Sequence, residues 1–234
     1  MKQDLILIGA SGVAHEILDT IHDLNLKKNE WNVLGVLDDD PSKIGKEFYQ
    51  NTRILGDRSY LSKVDQTKVQ VLVTFSSPAT FLKRHHYIEM LKAEFPKLKF
   101  ATLVHPTAYI SPSAEIGEGS YIGPGVIIDS CASVGDHVII LFHSVVSRFV
   151  SVDDYTFISA SVNIVGNRKI GKSVYLGAKA TINANLQDNI LVDSAVLIKM
   201  DIESNAIVSS TVVPNILKYP SVDKMQMMLA RSKS

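Results

Sequence analysis

The sequence predicts a small α/β domain followed by a parallel β-helix, and two observations lead to this prediction. Before residue 105, short apolar runs alternate with helical patterns, whereas from Ile110 to Ile182 an aliphatic residue recurs at every sixth position. A hexapeptide period is typical of a parallel β-helix, in which each repeat forms one short strand and stacked coils bury a continuous core. An amphipathic helix would show spacings of three and four instead, and a simple strand a period of two. Three hexapeptides would complete one triangular coil.

The hexapeptides share a further pattern around each aliphatic residue. A small or β-branched side chain stands two positions earlier, as at Ala132 and Thr156, because a narrow core needs compact partners. Glycine often follows directly, as at Gly117 and Gly135, where we expect the chain to turn a corner without a Cβ. After a two-residue shift beyond Ile182, the repeat is expected to resume at Ile190, Val196, Ile202 and Val208.

Residues 1–104 are predicted to form a small doubly wound, Rossmann-like α/β domain. Leu5–Ile8 is a continuous apolar run, as expected of a strand that is buried on both faces of a parallel sheet. The turn Gly9-Ala10-Ser11-Gly12 follows, and a helical pattern of apolar residues then extends to Leu26. A second strand over 33–37 ends at Asp38-Asp39. This strand–helix–strand order is typical of a doubly wound unit.

The turn after the first strand is a candidate phosphate site. A strand–glycine–helix turn presents backbone N–H groups and the positive end of a helix to an anion. The carboxylates of Asp38 and Asp39 would stand where such domains bind the hydroxyls of a nucleoside. The glycine pattern is only G-x-x-G, shorter than the G-x-G-x-x-G of dinucleotide-binding domains, so it is weak evidence for a dinucleotide. A tight turn with nothing bound is the alternative interpretation.

Composition limits the partners and the surroundings that we expect. The 234 residues carry a formal net charge of zero and no basic run, which disfavours nucleic-acid binding. The single cysteine, Cys131, fits a reducing compartment, and no stretch resembles a signal peptide or a membrane-spanning helix. We therefore expect a cytoplasmic protein without membrane insertion. The predicted β-helix domain covers residues 105–212, and a tail over 213–234 is expected to contain a short amphipathic helix at 222–229.

Four stretches together resemble one family of sugar acyltransferases. They are Ile6–Gly12 (ILIGASG), Leu37–Asp39 (LDD), Val104–Gly119 (VHPTAYISPSAEIGEG) and Val165–Gly171 (VGNRKIG). In these segments the chain is similar to the sialic-acid O-acetyltransferase-like group, which includes bacterial N-acetyltransferases of nucleotide-linked 4-amino-sugars. The resemblance implies a left-handed β-helix that assembles as a homotrimer and transfers an acyl group, usually acetyl, from acetyl-CoA. The implied acceptor is a nucleotide-linked amino sugar of surface-glycan biosynthesis.

The resemblance also assigns roles to residues at matching positions. The phosphates of the nucleotide would be lined by Gly9, Ser11 and Gly12, and its nucleoside would be contacted by Asp38 and Asp39. The coenzyme would lie in a groove between two neighbouring helices. The backbone beside its pantetheine arm would be that of Gly166, Gly177 and Ala178. The resemblance implies no metal ion.

The chain departs from the family where the chemistry is expected. The family's usual general base is a histidine that follows glutamate or glycine in the middle coils, and Ser147-Arg148 occupies that pair here. Arginine stays protonated at neutral pH, so Arg148 cannot serve as a base. The tail over 209–214 does not match the family's usual Gly-x-Pro-Ala-Lys/Arg ending. Three more positions that are polar in the family, two histidines and one asparagine, are occupied by Val13, Leu141 and Phe157.

These departures leave two functions open. In one, the enzyme is active, with His143 as the base and Arg148 stabilising the acyl oxyanion or holding a phosphate or carboxylate. In the other, the protein binds a nucleotide sugar or scaffolds a partner without catalysis, because a fold does not guarantee an activity. His143 is equally expected as a corner residue on the surface. A metal-dependent enzyme is disfavoured, because His137 and His143 occupy equivalent positions in consecutive hexapeptides and so lie on different faces.

Overall fold

The N-terminal part of the chain folds around a six-stranded sheet. The computed structural model describes residues 2–209 and the backbone of 215–218. The strands are β1 (Gln3–Ile8), β2 (Trp31–Leu37), β3 (Glu47–Tyr49), β4 (Thr52–Gly56), β5 (Val69–Val73) and β6 (Lys99–Phe100). Their order is β3-β4-β2-β1-β5-β6; β3 pairs with β4 antiparallel, and the other pairings are parallel. The connections contain the helices α1 (Gly12–Lys28) and α2 (Phe81–Glu94) and a 3₁₀ helix, Arg58–Lys63.

The two α-helices cover opposite faces of this sheet, as predicted for a doubly wound domain. Leu5 and Leu7 pack on the side of α1, whereas Ile6 and Ile8 pack on the side of α2. Because successive side chains of a strand point to opposite faces, burial on both sides explains the continuous apolar run of β1. Helix α1 begins after Ser11, whose side chain accepts a hydrogen bond from a backbone N–H of the first turn.

The C-terminal part is a triangular parallel β-helix built from short strands. Its first face contains β7 (Leu103–Val104), β10 (Tyr121–Ile122), β13 (Ile139–Ile140), β16 (Phe157–Ile158), β19 (Tyr175–Leu176), β21 (Leu191–Val192), β23 (Ala206–Ser209) and the antiparallel β24 (Asn215–Lys218). Its second face contains β8 (Tyr109–Ile110), β11 (Ile127–Ile128), β14 (Val145–Val146), β17 (Asn163–Ile164), β20 (Thr181–Ile182) and β22 (Leu197–Ile198). Its third face contains β9 (Glu115–Ile116), β12 (Ser133–Val134), β15 (Ser151–Val152) and β18 (Lys169–Ile170).

The second residue of each strand points into the β-helix and forms its core. Ile122 of the first face meets Ile128 of the second and Val134 of the third, and all three are buried. These residues belong to the aliphatic series of the repeat, so the predicted period is confirmed from Ile110 to Ile182. One residue of each strand therefore faces the core and its neighbour faces outward, as the alternation of a β-strand requires.

The register predicted beyond Ile182 is wrong at two positions. Tyr175 pairs with Leu191 and Thr181 with Leu197, so each of these coils is two residues shorter than the coils before it. The inward positions there are Leu186, Val192, Ile198, Ile202 and Val208. Ile190 and Val196 are buried, but they stand two residues before an inward position. Each of these later coils loses two residues at the corner between the second and third faces. The prediction assumed a single shift of two residues and therefore placed the inward residues incorrectly.

Left-handed backbone recurs at a fixed corner position, three residues after an inward aliphatic residue. Gly119 and Gly125 adopt it with φ angles of 67° and 65°. In later coils other residue types take the same conformation, among them Cys131, His137, His143, Phe149 and Tyr155. Such a φ is uncommon for residues with a Cβ, so the regular stacking of coils imposes it.

The glycines directly after the inward residues have a different role from the one predicted. A Cβ on Gly135 would lie 2.5 Å from Oδ1 of Asp154 in the next coil, and a Cβ on Gly117 would lie 2.3 Å from Oδ1 of Asp136. Both glycines have φ angles outside the left-handed region. They are needed because adjacent coils approach closely, and the corner itself is turned two residues later.

The α/β domain covers the first face of the β-helix. The outward residues Tyr121, Ile139 and Phe157 of that face are buried in one apolar cluster with α1 and β1. The hydroxyl of Tyr121 also forms a hydrogen bond of 2.7 Å with Thr20 of α1. The two parts of the chain therefore share an interface that combines apolar packing with buried hydrogen bonds.

Arg84 of α2 is fully buried at this interface. Its guanidinium donates hydrogen bonds to the carbonyl oxygens of His137 (2.6 Å), Tyr155 (3.4 Å) and Val73 (3.4 Å). Because burial disfavours the charged form, the pKa of Arg84 is lowered to about 9. Arg84 thus joins α2, the sheet and two coils of the β-helix through charge-assisted hydrogen bonds.

His137 is buried beside Arg84. Its ring stacks with Tyr155 at a centroid distance of 5.5 Å and meets Phe100 edge-on at 4.7 Å. Its Nε2 atom finds no hydrogen-bond partner among the residues that the structure describes. Burial first, and the nearby cations of Lys92 and Arg84 second, lower the pKa of His137 to about 3. The imidazole therefore stays neutral in the folded protein at neutral and mildly acidic pH.

We predict that His137 makes the folded protein less stable as the pH falls. The unfolded residue gains a proton below about pH 6.5. The folded residue gains it only near the lowered pKa of about 3. Between these values the free energy of unfolding should fall by up to about 1.4 kcal/mol per pH unit. His137→Asn removes the titrating group and retains a residue type that tolerates left-handed backbone.

Denaturation by urea at pH 7 and at about pH 5 tests this prediction. Wild type should lose more stability on acidification than His137→Asn. His143→Asn changes an exposed histidine at an equivalent corner and should keep the wild-type loss. Equal losses in all three proteins would contradict the prediction.

Candidate functional site

The turn between β1 and α1 lies at the carboxyl edge of the sheet. Gly9 has a φ of 108°, and a Cβ there would lie 2.9 Å from Cβ of Phe75, so only glycine fits. The Ser11 hydroxyl donates to the carbonyl oxygen of Thr74 at 3.0 Å and also caps α1. Gly12 is exposed, and a Cβ on it would meet nothing within 4 Å. Of the three predicted residues, Gly9 and Ser11 shape the turn, and Gly12 presents the open end of the helix to solvent.

A cavity of about 340 Å³ opens beside this turn, on the side of α2. Its apolar walls include Phe75 and Tyr87, whose rings meet edge-to-face at a centroid distance of 5.2 Å. Its charged groups are Asp38, Asp39 and Lys83. Burial and the carboxylate of Asp39 raise the pKa of Tyr87, so its hydroxyl stays protonated. An apolar cavity with a few polar groups is the usual form of a small-molecule site.

The aromatic and basic residues of this cavity were not predicted from the sequence, although two signals mark them. Phe75 follows β5 almost directly, and the carboxyl ends of neighbouring parallel strands share one edge of a sheet. Lys83 and Tyr87 are four residues apart on α2, so they lie on one face of that helix. The adjacent strand ends are visible in the sequence, but the cavity between them and α2 is not.

The two predicted aspartates have different surroundings. Asp38 accepts hydrogen bonds from the backbone N–H groups of Ala10 (2.9 Å) and Asp40 (3.0 Å), and its Oδ2 lies 3.1 Å from Nζ of Lys43. Its carboxylate is therefore engaged in holding the β1–α1 turn against the loop after β2. Asp39 is exposed at the mouth of the cavity. Asp39 is the carboxylate of the pair that is placed to meet a ligand.

Val13, Leu141 and Phe157, the three positions where the resemblance implies polar residues, all belong to or pack against one apolar cluster. Phe157 is a buried member of the cluster that joins the two parts of the chain, and Val13 and Leu141 pack against that cluster. All three side chains are apolar, so their burial in this cluster favours the contact between the two parts of the chain. The beginning of α1 thus lies against an apolar part of the β-helix.

Glu16 lies beside this apolar region and was not singled out in the sequence. Its carboxylate accepts hydrogen bonds from the hydroxyl of Tyr121 at 3.2 Å and from the backbone N–H of Phe142. Burial raises the pKa of Glu16, and the nearby charge of Asp19 adds to this effect. The available signal is its spacing, since Glu16 follows Gly12 by four residues on the same helix face.

The structure does not bring His143 and Arg148 together within one chain. His143 is exposed at the corner between the first and second faces, where its ring lies over Gly125 of the preceding coil. Arg148 is exposed at the corner between the second and third faces. Strand β14 of the second face separates the two corners. The two residues therefore lie along opposite edges of that face.

The residues expected beside the coenzyme are divided between the same two corners. Gly166 lies under Arg148, and a Cβ on it would be 3.1 Å from the Arg148 carbonyl oxygen. Gly177 and Ala178 lie on the other corner, between the first and second faces, where His143 lies in an earlier coil. A Cβ on Gly177 would be 2.5 Å from the backbone nitrogen of Ser194, so close coil stacking accounts for this glycine.

The second face and its edges carry exposed apolar side chains. Tyr109, Ile127 and Leu197 point outward from the face itself, and Phe142, Phe149 and Met200 stand at its corners. Exposed apolar residues that cluster in this way are typical of an interface with another molecule.

Residues 2–209 contain neither a cluster of metal ligands nor a helix that could span a membrane. Within 2–209, no group of three or more His, Cys, Asp or Glu side chains is arranged to hold a metal ion. In the same part of the chain, no helix has the length and apolar character needed to cross a bilayer. The helix expected at 222–229 and the atypical ending over 210–214 lie outside the described residues.

Two family matches cover separate parts of the chain. Residues 4–87 match the PglD N-terminal domain, and residues 113–148 match the bacterial transferase hexapeptide (six repeats). Two curated relatives, both named UDP-3-O-acylglucosamine N-acyltransferase 1 and both from Legionella pneumophila, match at 35% identity over 51 residues. That match covers 22% of this chain and only 14% of each relative.

Solved structures match over most of the chain. The acetyltransferase domain of PglB from Neisseria gonorrhoeae FA1090 has a TM-score of 0.80 at 21% identity, with 92% of this chain and 100% of that domain covered. The same domain in complex with acetyl coenzyme A has a TM-score of 0.79 at 20% identity, covering 93% of this chain and 100% of that one. Perosamine N-acetyltransferase from Caulobacter crescentus, with CoA and GDP-perosamine, also has a TM-score of 0.79 at 20% identity, covering 92% and 97%.

At these identities the structural matches establish the fold. They confirm the predicted architecture of a small Rossmann-like α/β domain followed by a left-handed parallel β-helix of hexapeptide repeats. The two family matches confirm the resemblance to hexapeptide transferases that carry a PglD-type N-terminal domain.

We predict different effects on stability for the two aspartates after β2. Asp38→Ala removes hydrogen bonds to two backbone N–H groups and an ion pair with Lys43, which should lower the free energy of unfolding by about 1–3 kcal/mol. Asp39→Ala is the matched control and should change it by less than about 0.5 kcal/mol, because Asp39 is exposed. Urea denaturation of the two variants gives the comparison. A loss of the same size in both would contradict the distinction.

Proposed function

We propose that this chain, which joins a PglD N-terminal domain to the left-handed β-helix of a hexapeptide transferase, is a nucleotide-sugar N-acyltransferase. It would transfer an acyl group, most simply acetyl, from acyl-CoA to the amino group of a nucleotide-linked amino sugar. The observation that carries this proposal is the cavity at the carboxyl edge of the α/β sheet, beside the open end of α1. The complexes of similar proteins with acetyl coenzyme A and with CoA and GDP-perosamine support it.

The cavity suits the nucleoside of the acceptor. Its base would lie against Phe75 and Tyr87, and Asp39 would accept hydrogen bonds from hydroxyl or ring N–H groups. The diphosphate would then pass the exposed N-terminus of α1 at Gly12, where backbone N–H groups and the helix dipole favour an anion. The ammonium of Lys83, at the cavity wall, would compensate part of the same charge.

A homotrimer would complete the donor site. The exposed apolar residues of the second face are suited to contact with a second copy, and closed rings of identical chains are a common way to cover such surfaces. Acyl-CoA would lie in the groove between two copies, with Gly166 on one corner and Gly177 and Ala178 on the corner of the neighbouring copy. Such a groove would also bring His143 of one copy near Arg148 of the next.

The reaction needs the acceptor amine in its neutral form and a group that stabilises the oxyanion. An unprotonated amine attacks the thioester carbonyl carbon, and the negative charge that develops on oxygen needs a fixed positive group nearby. Arg148 stays protonated and would supply that charge, or would bind a phosphate of the coenzyme. His143 is the histidine that the sequence offers as a base. The proposed setting is the cytoplasm, in the synthesis of a surface glycan.

A second function is favoured by the apolar cluster of Val13, Leu141 and Phe157. These residues replace the polar groups that the family resemblance places near the chemistry, which suits a protein that binds a nucleotide sugar without modifying it. The two functions differ in their requirement for a donor, because a binding protein needs no acyl-CoA site.

Calorimetry followed by a transfer assay distinguishes the two functions. We expect acetyl-CoA to bind with a Kd in the micromolar range, and CoA to be released when a nucleotide-linked amino sugar is added. Asp39→Ala should weaken nucleotide-sugar binding about tenfold, the equivalent of 1.4 kcal/mol, and leave acetyl-CoA binding unchanged. Binding of the nucleotide sugar without any binding of acetyl-CoA would contradict the transferase and favour the binding protein.

The proposed trimer predicts that one charge on the second face disrupts assembly and donor binding together. Ile127→Arg places a cation beside Tyr109 on the apolar part of the second face, where a buried, unpaired charge is strongly unfavourable. Glu115→Arg puts the same side chain on the third face and serves as the control. Light scattering should report a trimer for wild type and the control, and smaller species for Ile127→Arg with weaker acetyl-CoA binding. A monomeric wild type, or an intact trimer in Ile127→Arg, would contradict the assembly.

A further inference from the structure

Glu16 is a carboxylate on the side of α1 that faces the β-helix. Because Gly12 and Glu16 are four residues apart, they share one face of α1, about 6 Å apart along the helix axis. Gly12 marks the open helix end where the proposed function places the diphosphate. A sugar attached to that diphosphate and directed away from the nucleoside cavity would extend along this face toward Glu16.

The β-helix holds this carboxylate in one position. Tyr121 donates its hydroxyl proton to Oε1 at 3.2 Å, and the backbone N–H of Phe142 donates a second hydrogen bond. Gly123 leaves the space that the carboxylate occupies, since a Cβ on Gly123 would lie only 2.8 Å from Oε1. Thr20 fixes Tyr121 in turn through a hydrogen bond of 2.7 Å. The contacts come from both parts of the chain and orient one acid group.

The surroundings of Glu16 suit a group that accepts a proton. The apolar cluster of Val13, Leu141 and Phe157 lies alongside and limits the access of water. Burial raises the pKa of Glu16, which makes its carboxylate a stronger base than an exposed glutamate.

Two histidines near this region are directed elsewhere. His15 packs against Phe48 and Tyr49 of the β3–β4 hairpin, and its Nδ1 lies 3.1 Å from the carbonyl oxygen of Ser11. His137 is buried under α2 at another corner of the β-helix. Of these three residues, Glu16 is the proton acceptor on the side of α1 that faces the β-helix.

We propose that Glu16 is the catalytic base of this protein and takes a proton from the ammonium group of the acceptor sugar. This assignment rests on the proposed function. The Glu16 carboxylate accepts one proton from R–NH₃⁺ and becomes a carboxylic acid, which leaves R–NH₂. The nitrogen lone pair forms a C–N bond with the thioester carbonyl carbon, and the C–S bond breaks as the tetrahedral intermediate collapses. The departing thiolate takes the second proton from nitrogen, which yields the amide and free CoA, and Glu16 returns its proton to solvent.

Glu16→Gln tests this assignment with little structural change. The amide oxygen of glutamine still accepts hydrogen bonds from Tyr121 and Phe142, but it cannot take a proton at neutral pH. We expect kcat to fall about 100-fold or more, within the range for loss of a general base. The melting temperature and the Kd values for acetyl-CoA and the nucleotide sugar should remain those of wild type.

The pH profile separates a base from a merely structural contact. In wild type, kcat/KM should fall as the pH drops through the raised pKa of Glu16, because the protonated acid cannot accept a proton. Glu16→Gln should lose this acidic limb. Asp19→Asn removes the same charge from the same helix, on the side of the hairpin, and should keep the rate at neutral pH. It should also keep an acidic limb, shifted toward lower pH, because the charge of Asp19 no longer raises the pKa of Glu16.

The outcomes distinguish this assignment from the proposed function. A wild-type protein that transfers acetyl groups, together with a Glu16→Gln variant of equal rate and unchanged pH profile, overturns the assignment alone. A large loss of kcat in His143→Gln, with no loss of kcat in Glu16→Gln, would assign the base to His143 and would also overturn the assignment to Glu16. A folded wild type that binds no acetyl-CoA and transfers nothing overturns the proposed function and this assignment together.

Discussion

The burial of the first face of the β-helix by the α/β domain is the contact on which the rest of the structure depends. Each strand of that face directs one side chain inward and the next outward, so the face needs a second apolar layer. Tyr121 and Phe157 supply part of that layer, and α1 and the turn before it cover them. Because this contact sets the position of α1, it also sets where a ligand at the sheet edge meets the β-helix.

Polar groups within the same contact make it specific. Arg84 brings a positive charge into the interface and donates hydrogen bonds to three carbonyl oxygens, and His137 remains neutral beside it. Burial of a charged group is unfavourable unless it is hydrogen-bonded, so the three carbonyl contacts of Arg84 favour one relative placement of the two parts of the chain. The Glu16–Tyr121 hydrogen bond belongs to the same interface and connects its geometry to the proposed chemistry.

The active site that we propose differs from the family resemblance in one consistent way. Val13, Leu141 and Phe157 are apolar at positions where the resemblance implies polar residues, and the carboxylate of Glu16 lies on the same helix as Val13. A buried carboxylate is a better proton acceptor than an exposed one, because desolvation disfavours its charged form. In this proposal Arg148 stands where the resemblance implies the usual histidine, and the partly buried Glu16 acts as the base instead.

The sequence alone determined the two-part architecture and the core positions of the β-helix up to Ile182, because inward aliphatic residues must recur with the period of the coil. It also marked the edge of the sheet through Gly12 and Asp39. Only the tertiary structure showed that Asp38 is engaged by its own loops, that later coils are shorter, and that Glu16 meets Tyr121. These contacts join residues far apart in the chain, and no local pattern encodes which of them will face one another across an interface.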